Sequence, residues 1–228
     1  MLRSSEVLLG EKPPQSHYLE AYRRLRTALF ALRDEHPFRS LLITSASPNE
    51  GKSVVAINLA TLIAQTGLQV ILVDGDFAHP VVHHELEMEP VPGITDVCIG
   101  QAEIEQITQQ TELDTLRIVS AGSAASSGPD LASGSTMPSV MSRLVDRSDL
   151  VIVDSGPVLG SAGTLQLARM VDCVVAVARA RENVGAARRA LKLLKDVGRD
   201  PRGIIVNDIL EQDSQAQSYY YYGTSGRM

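Results

Sequence analysis

Leu41-Leu42-Ile43-Thr44-Ser45-Ala46-Ser47-Pro48-Asn49-Glu50-Gly51-Lys52-Ser53 decides how the rest of the chain is read. Its apolar start predicts a buried strand over Ser40–Thr44, then a turn, then a helix opening at Lys52. Such a turn gathers backbone N–H groups at a helix N-terminus, which suits an anionic phosphate. Lys52 adds a point charge for the β/γ-phosphates of a nucleotide, and the Ser53 hydroxyl is placed to ligate Mg²⁺. The full pattern asks for Gly six residues before the lysine, where this chain has Ala46. The Gly51-Lys52-Ser53 core is intact. An ordinary strand-to-helix turn with a surface lysine is the plain alternative, and the rest of the sequence decides between the two.

Downstream, a helix is expected from Lys52 to about Thr66, carrying Val54, Val55, Ile57, Leu59, Leu62 and Ile63. Gly67 stands in the position of its C-cap. A second strand, Gln69–Val73, leads into Asp74-Gly75-Asp76. Strand, helix and strand at this spacing form a parallel crossover, right-handed by default. Further strands are predicted at Leu116–Ser120, Leu150–Val153 ending at Asp154, Asp172–Ala178, and Gly203–Val206 ending at Asn207. Helices are predicted at Val82–Leu86, Gly93–Ile99, Ala102–Gln109, Pro138–Arg147, Thr164–Met170 and Asn183–Val197. The fold class is therefore α/β, a three-layer P-loop NTPase fold: a mostly parallel sheet with helices on both faces. The strand C-termini of such a sheet share one edge, and ligands bind there. Asp74, Asp76 and Asp154 then converge on the edge that holds Lys52. One Asp after a strand is commonly a helix cap. Three beside Gly-Lys-Ser point to a site for Mg²⁺ and nucleotide.

The chain has 228 residues, enough for one domain with a sizeable core. We divide it into a domain over residues 1–207 and a polar, tyrosine-rich tail over 208–228. Residues 1 to 15 read as an extended arm. A helix from Ser16 to Asp34 follows, with Tyr18, Tyr22, Leu25, Leu29 and Leu32 on one apolar face. Glu20, Arg23 and Arg24 point the other way, with Arg26 at the edge. That charged face is either solvated surface or a docking face for a neighbouring subunit. Residues 120 to 139, rich in Ser, Gly and Ala, are expected to be a mobile loop beside the site. A net charge of −6 argues against a general nucleic-acid binder. Cys98 and Cys173 lack metal-ligand spacing and read as buried free thiols, which favours a cytosolic protein. No apolar run reaches the length of a membrane span, and the start lacks a signal-peptide pattern. Work at a membrane would then need a partner to hold the chain there.

Three stretches carry a family resemblance: Ala46 to Ser53, Ile71-Leu72-Val73-Asp74-Gly75-Asp76, and Val151-Ile152-Val153-Asp154-Ser155-Gly156-Pro157. They resemble the Walker A, A′ and B motifs of bacterial tyrosine kinases. Glu20-Ala21-Tyr22-Arg23-Arg24-Leu25-Arg26 resembles that family's Glu-x-x-Arg-x-x-Arg helix, which mediates ring assembly. Tyr219, Tyr220, Tyr221 and Tyr222 resemble its autophosphorylated cluster. The length is similar to the stand-alone CpsD/CapB type, which controls capsule or exopolysaccharide synthesis and export. The resemblance implies an ATP-dependent protein-tyrosine autokinase. Ser47, Pro48, Asn49, Glu50, Gly51, Lys52, Ser53, Val54 and Asn207 would line the nucleotide. Lys52, Asp74, Asp76 and Asp154 would be catalytic, with Asp74 accepting the phenolic proton. Ser53, Asp76 and Asp154 would hold Mg²⁺. Glu20, Arg23 and Arg26 would build a homo-oligomeric ring. The implied partners are a transmembrane activator of the polysaccharide co-polymerase kind and a phosphotyrosine phosphatase, with no nucleic acid. The implied place is the cytoplasm, at the inner face of the cell membrane.

The chain departs from the family pattern at three positions. A basic residue is usual two positions after Asp76, and here Ala78 stands there, followed by His79. Gly156 replaces the first proline of Asp-x-Pro-Pro. Gly163 stands where an Asp is common. These leave open a kinase-inactive, nucleotide-binding regulator. Partition-type ATPases share the sheet but carry a lysine at the position of Ser47, so they fit less well.

Overall fold

Strand β1 (Ser40–Ser45) is buried at every position, as a strand between two helical layers must be. The computed structural model describes residues 17–123, 125–180 and 184–209. The chain runs through α1 (His17–Glu35), β1, α2 (Lys52–Ala64), β2 (Val70–Gly75), α3 (Val82–Glu85), α4 (Ile94–Cys98), α5 (Ile104–Ile107), β3 (Thr108–Gln110) and β4 (Leu116–Val119). It continues through α6 (Gly128–Ala132), α7 (Thr136–Val145), β5 (Leu150–Pro157), α8 (Ala162–Met170), β6 (Cys173–Arg179), α9 (Val184–Asp196) and β7 (Gly203–Asn207). The strand order is β3-β4-β2-β5-β1-β6-β7, parallel except for β3 against β4. The crossover from β1 to β2 passes over β5, and β6 lies on the other side of β1. The end of β1 is thus a place where connections diverge, the usual position of a ligand crevice in an open parallel sheet.

Strand side chains alternate between two cores. Leu41, Ile43, Val70, Leu72, Leu150 and Ile152 pack with α1 and α2. Leu42, Ile71, Val73, Val151 and Val153 pack with the layer of α4 to α9. Each fully buried aliphatic side chain contributes about 1.5–3 kcal/mol. Helix α2 is apolar nearly all round, with Val55 to Ala60 and Leu62 to Ala64 buried, so its N-terminal Lys52 and Ser53 stand on a rigid element. Helix α1 covers it with Leu19, Tyr22 and Leu29 buried and Tyr18, Leu25 and Leu32 partly so. Arg26, expected at the edge of the charged face, donates to the Leu62 carbonyl at 3.0 Å. It satisfies a carbonyl in the last turn of α2, where intrahelical donors run out. Glu20 pairs with Arg23 at 3.8 Å and with Arg24 at 3.5 Å on the exposed face.

Three expectations are corrected. The stretch from 120 to 139 is not a loose loop: a 3-10 turn (Ala125–Ser127), α6 and the start of α7 lie there, with Gly128, Ala132 and Met137 buried. Its small residues permit close packing, which composition alone cannot separate from flexibility. The helix expected at Ala102–Gln109 is a single turn, after which Thr108–Gln110 pairs antiparallel with β4. Strand β5 does not stop at Asp154 but runs on to Pro157. Cys98 and Cys173 are free thiols, and burial pushes both up to about 11. Among the described residues no helix is long and apolar enough to cross a membrane. The tail from residue 210, including the tyrosine cluster, lies outside the described residues.

Candidate active site

The loop from Ser45 to Gly51 is held open by its own side chains and by two left-handed residues. Asn49 and Gly51 have φ of 65° and 87°. Gly51 is required twice over, because a Cβ there would also lie 2.1 Å from Asn207 Nδ2. That nitrogen donates to the Glu50 carbonyl at 3.1 Å, so the end of β7 braces the loop. The Glu50 carboxylate turns inward and accepts the Ala46 N–H at 3.3 Å, and the Ser45 hydroxyl donates to the Ser47 carbonyl at 2.8 Å. Val55 N–H bonds back to the Gly51 carbonyl. The N–H groups ahead of it lie in the first turn, where a helix offers no acceptors, which is what an anion needs.

Lys52 Nζ lies 3.0 Å from Asp76 Oδ2, and both side chains are largely buried. Asp74 and Asp154 are paired in register across β2 and β5, and both are fully buried. Their surroundings differ. Asp74 Oδ2 accepts the N–H groups of Val81 and Val82 at 2.9 Å each, and Oδ1 accepts that of Asp76 at 3.2 Å. Among the described residues neither oxygen of Asp154 has a hydrogen-bond partner of ordinary geometry, although the Ser53 hydroxyl and the Ser155 N–H lie near them. Burial pushes Asp74 up to about 7, with the nearby Asp154 adding to the rise. Burial also pushes Asp154 up to about 6, against the pull of the Lys52 ammonium and the Ser53 hydroxyl. A buried carboxylate without donors is costly unless a cation completes it. Asp154, Asp76 and Ser53 are hard oxygen donors gathered beside Lys52, so the residues present fit Mg²⁺.

The sequence-predicted site residues Ser47 to Val54, Asp74, Asp76, Asp154 and Asn207 all lie on this one edge. Glu20 and Arg23 sit on the outer face of α1, away from it. The three departures acquire surroundings. Ala78 and His79 are exposed, and the His79 N–H caps Asp76 Oδ1 at 3.2 Å. A Cβ on Gly156 would lie 3.2 Å from Asp76 Oδ1. A Cβ on Gly163 would lie 3.1 Å from Pro129 Cα. The sequence reading missed Phe77: a Cβ on Gly128 would lie 2.2 Å from its ring, so α6 is seated directly on the A′ turn. The signal was present, since Phe77 is an aromatic residue next to Asp76, but its partner is remote in sequence.

The family model for the CobQ/CobB/MinD/ParA nucleotide binding domain matches residues 41–223. Tyrosine-protein kinase YwqD of Bacillus subtilis is 31% identical over 223 residues, covering 97% of this chain and 93% of that protein. The chain belongs to the bacterial tyrosine-kinase family. The Ralstonia solanacearum protein named EpsB is 32% identical over 227 residues, and this kinase-family chain spans 30% of its length. The kinase domain of Escherichia coli tyrosine kinase ETK superposes with a TM-score of 0.83 at 26% identity, covering 87% of this chain and 78% of that one. The P-loop fold and nucleotide-binding class expected from Gly51-Lys52-Ser53 are thereby borne out.

Proposed function

We propose that this chain is an ATP- and Mg²⁺-dependent protein-tyrosine autokinase that modifies its C-terminal tyrosine cluster between subunits. The observation that carries this reading is Asp154: a buried carboxylate with no well-formed hydrogen bond among the described residues, beside the Lys52–Asp76 pair and opposite Asp74. Phosphoryl transfer asks for positioning and charge neutralisation more than covalent help. The loop N–H groups and Lys52 hold the β/γ-phosphates, with Lys52 exchanging Asp76 for phosphate oxygen. Ser53, Asp76 and Asp154 would hold Mg²⁺, which would neutralise charge on the phosphate oxygens. The bond from the γ-phosphorus to the bridging oxygen breaks, and ADP leaves with the electron pair. A bond from the tyrosine oxygen to phosphorus forms, and the phenolic proton passes to Asp74. A carboxyl near pKa 7 is suited to accept a proton at neutral pH.

In this reading the ring forms through Glu20, Arg23 and Arg26, so that Tyr219 to Tyr222 of one subunit reach the next. A transmembrane activator recruits the chain to the inner face of the membrane, and a phosphatase resets it, in a capsule or exopolysaccharide system. Incubation with labelled ATP and Mg²⁺, with and without an activator fragment, tests the chemistry. Label on the tail tyrosines is expected. Released phosphate without labelled protein would assign the chain to the partition-type ATPases, and neither product would make it a nucleotide-binding regulator. Sedimentation of a Glu20→Ala/Arg23→Ala variant tests the ring without touching the Arg26 bond to α2. An unchanged assembly state would return that face to plain solvated surface.

A further inference from the structure

The wall behind the metal-side carboxylates hangs on one backbone oxygen. The Gly156 carbonyl, two residues beyond Asp154, accepts the Thr44 hydroxyl at 2.9 Å and the Thr164 hydroxyl at 3.0 Å. Thr44 belongs to β1, just ahead of the phosphate loop, and Thr164 to the first turn of α8; both are buried. A carbonyl oxygen has two lone pairs, so these two donors fill it. The Ser155 hydroxyl lies 3.3 Å from the same oxygen but nearer the Ile43 carbonyl, at 3.1 Å. The joint falls where the β1–β5 register slips, between the pairs Ile43–Asp154 and Ser45–Pro157. A slipped ladder leaves backbone groups unpaired, and buried ones need other partners. The two threonines supply them, and so tie the phosphate-loop strand, the Asp154 strand and α8 at one atom.

Gly156 also borders the metal side directly, since a Cβ there would lie 3.2 Å from Asp76 Oδ1 and 3.3 Å from Thr164 Oγ1. This backbone therefore lies between the strand that carries Asp154 and the Asp76 carboxylate. We propose that Thr44 and Thr164 are positioning residues for the divalent cation, pinning the Gly156 carbonyl so that Asp154 and Asp76 keep ligand spacing. The family pattern Asp-x-Pro-Pro has a proline here, whose ring stiffens the chain. Glycine gives that stiffness up, and here two buried hydroxyls hold its carbonyl. The proposal rests on the nucleotide-site reading above but not on transfer to tyrosine.

The test is Mg²⁺ titration of fluorescent ADP-analogue binding to the full chain, with thermal melts of every variant. Thr164→Val keeps the shape and removes the donor. It should raise the Mg²⁺ half-saturation roughly tenfold or more, the range seen when a residue that orients a metal ligand is lost. Thr164→Ser should return it to within about threefold of the parent. Thr108→Val removes a hydroxyl bond of the same kind, to the Ile104 carbonyl at 2.7 Å, at the far sheet edge. It should leave the half-saturation unchanged. If Thr164→Val does not fold, Thr44→Val carries the same expectation. A Thr164→Val half-saturation within about twofold of the parent, or a serine variant no better than valine, overturns the proposal. The readout is binding, so a parent that binds the analogue without phosphorylating tyrosine overturns the kinase reading and not this one.

Discussion

The A′ turn and the end of the Walker B strand face each other across β2 and β5, and each offers a buried carboxylate in matched register. On the A′ side, three backbone N–H groups close on Asp74, and α6 presses on Phe77. On the Walker B side, Asp154 has no well-formed hydrogen bond among the described residues, while the backbone two residues on receives two hydroxyls. One side uses its polar groups to hold a carboxylate; the other uses them to hold the main chain and leaves its carboxylate to Lys52 and Ser53. Burial is the same for both, so burial does not assign the roles. The hydrogen-bond inventory separates them: a buried carboxylate with no well-formed hydrogen bond is the one suited to a cation.

Lys52 spans the two sides, pairing with Asp76 and pulling on Asp154. Lys52→Met should therefore break both and lower tyrosine phosphorylation by roughly a hundredfold or more, as loss of a key electrostatic group does. Labelled-ATP transfer measures it, and full phosphorylation in the variant would place catalysis elsewhere. Asp154→Asn should be nearly as severe for Mg²⁺-dependent transfer. It should also raise the melting temperature of the ligand-free protein by about 2–4 °C near pH 7, because a poorly hydrogen-bonded buried charge is removed. A lower melting temperature would mean that Asp154 is structural.

Asp74→Asn separates the other side. Its amide carbonyl can still accept the Val81 and Val82 N–H groups, losing only the longer bond from Asp76, so fold and nucleotide binding should persist. Transfer should fall by roughly a hundredfold if Asp74 takes the proton. Quench-flow and calorimetry on one preparation would show it, and unimpaired transfer would leave Asp74 a turn anchor. Gly163→Asp, which puts back the acid common in the family, should not improve activity. Its Cβ meets the Pro129 backbone at 3.1 Å, and overpacking of this kind costs about 1–3 kcal/mol, readable as a shifted urea midpoint.

The smallest effect is on pH. Both carboxyls titrate well above the usual Asp value of 3.8 in the folded chain, at about 7 and about 6. Protons are bound more tightly in the folded state than in the unfolded one. The stability these groups give is full below about 4 and is lost as pH rises through about 6 and then 7. Melting temperature of the ligand-free chain should fall across that window from these two groups. Mg²⁺ with ADP should flatten or reverse the slope, because the cation favours the ionised forms. An unchanged slope would disconnect the carboxyls from the metal.

What the sequence determined by itself was whatever is written locally. Gly51-Lys52-Ser53, the aspartates that follow apolar runs and the stripe on α1 are short-range patterns, and period and strand polarity suffice to place them on one edge. Only the tertiary structure decided which carboxylate is well bonded by the main chain. Asp74 and Asp154 read alike as an Asp after Val-rich strands, and their difference comes from the N–H groups of Val81 and Val82 folding back over one of them. The brace between Asn207 and Gly51, the seat of Gly128 on Phe77, and the two threonines on Gly156 join residues far apart in the chain. The order in 125–132 and the pairing of Thr108–Gln110 were hidden for the same reason. Small or polar residues carry little local preference, and what orders them is a partner that the chain brings near only when it folds.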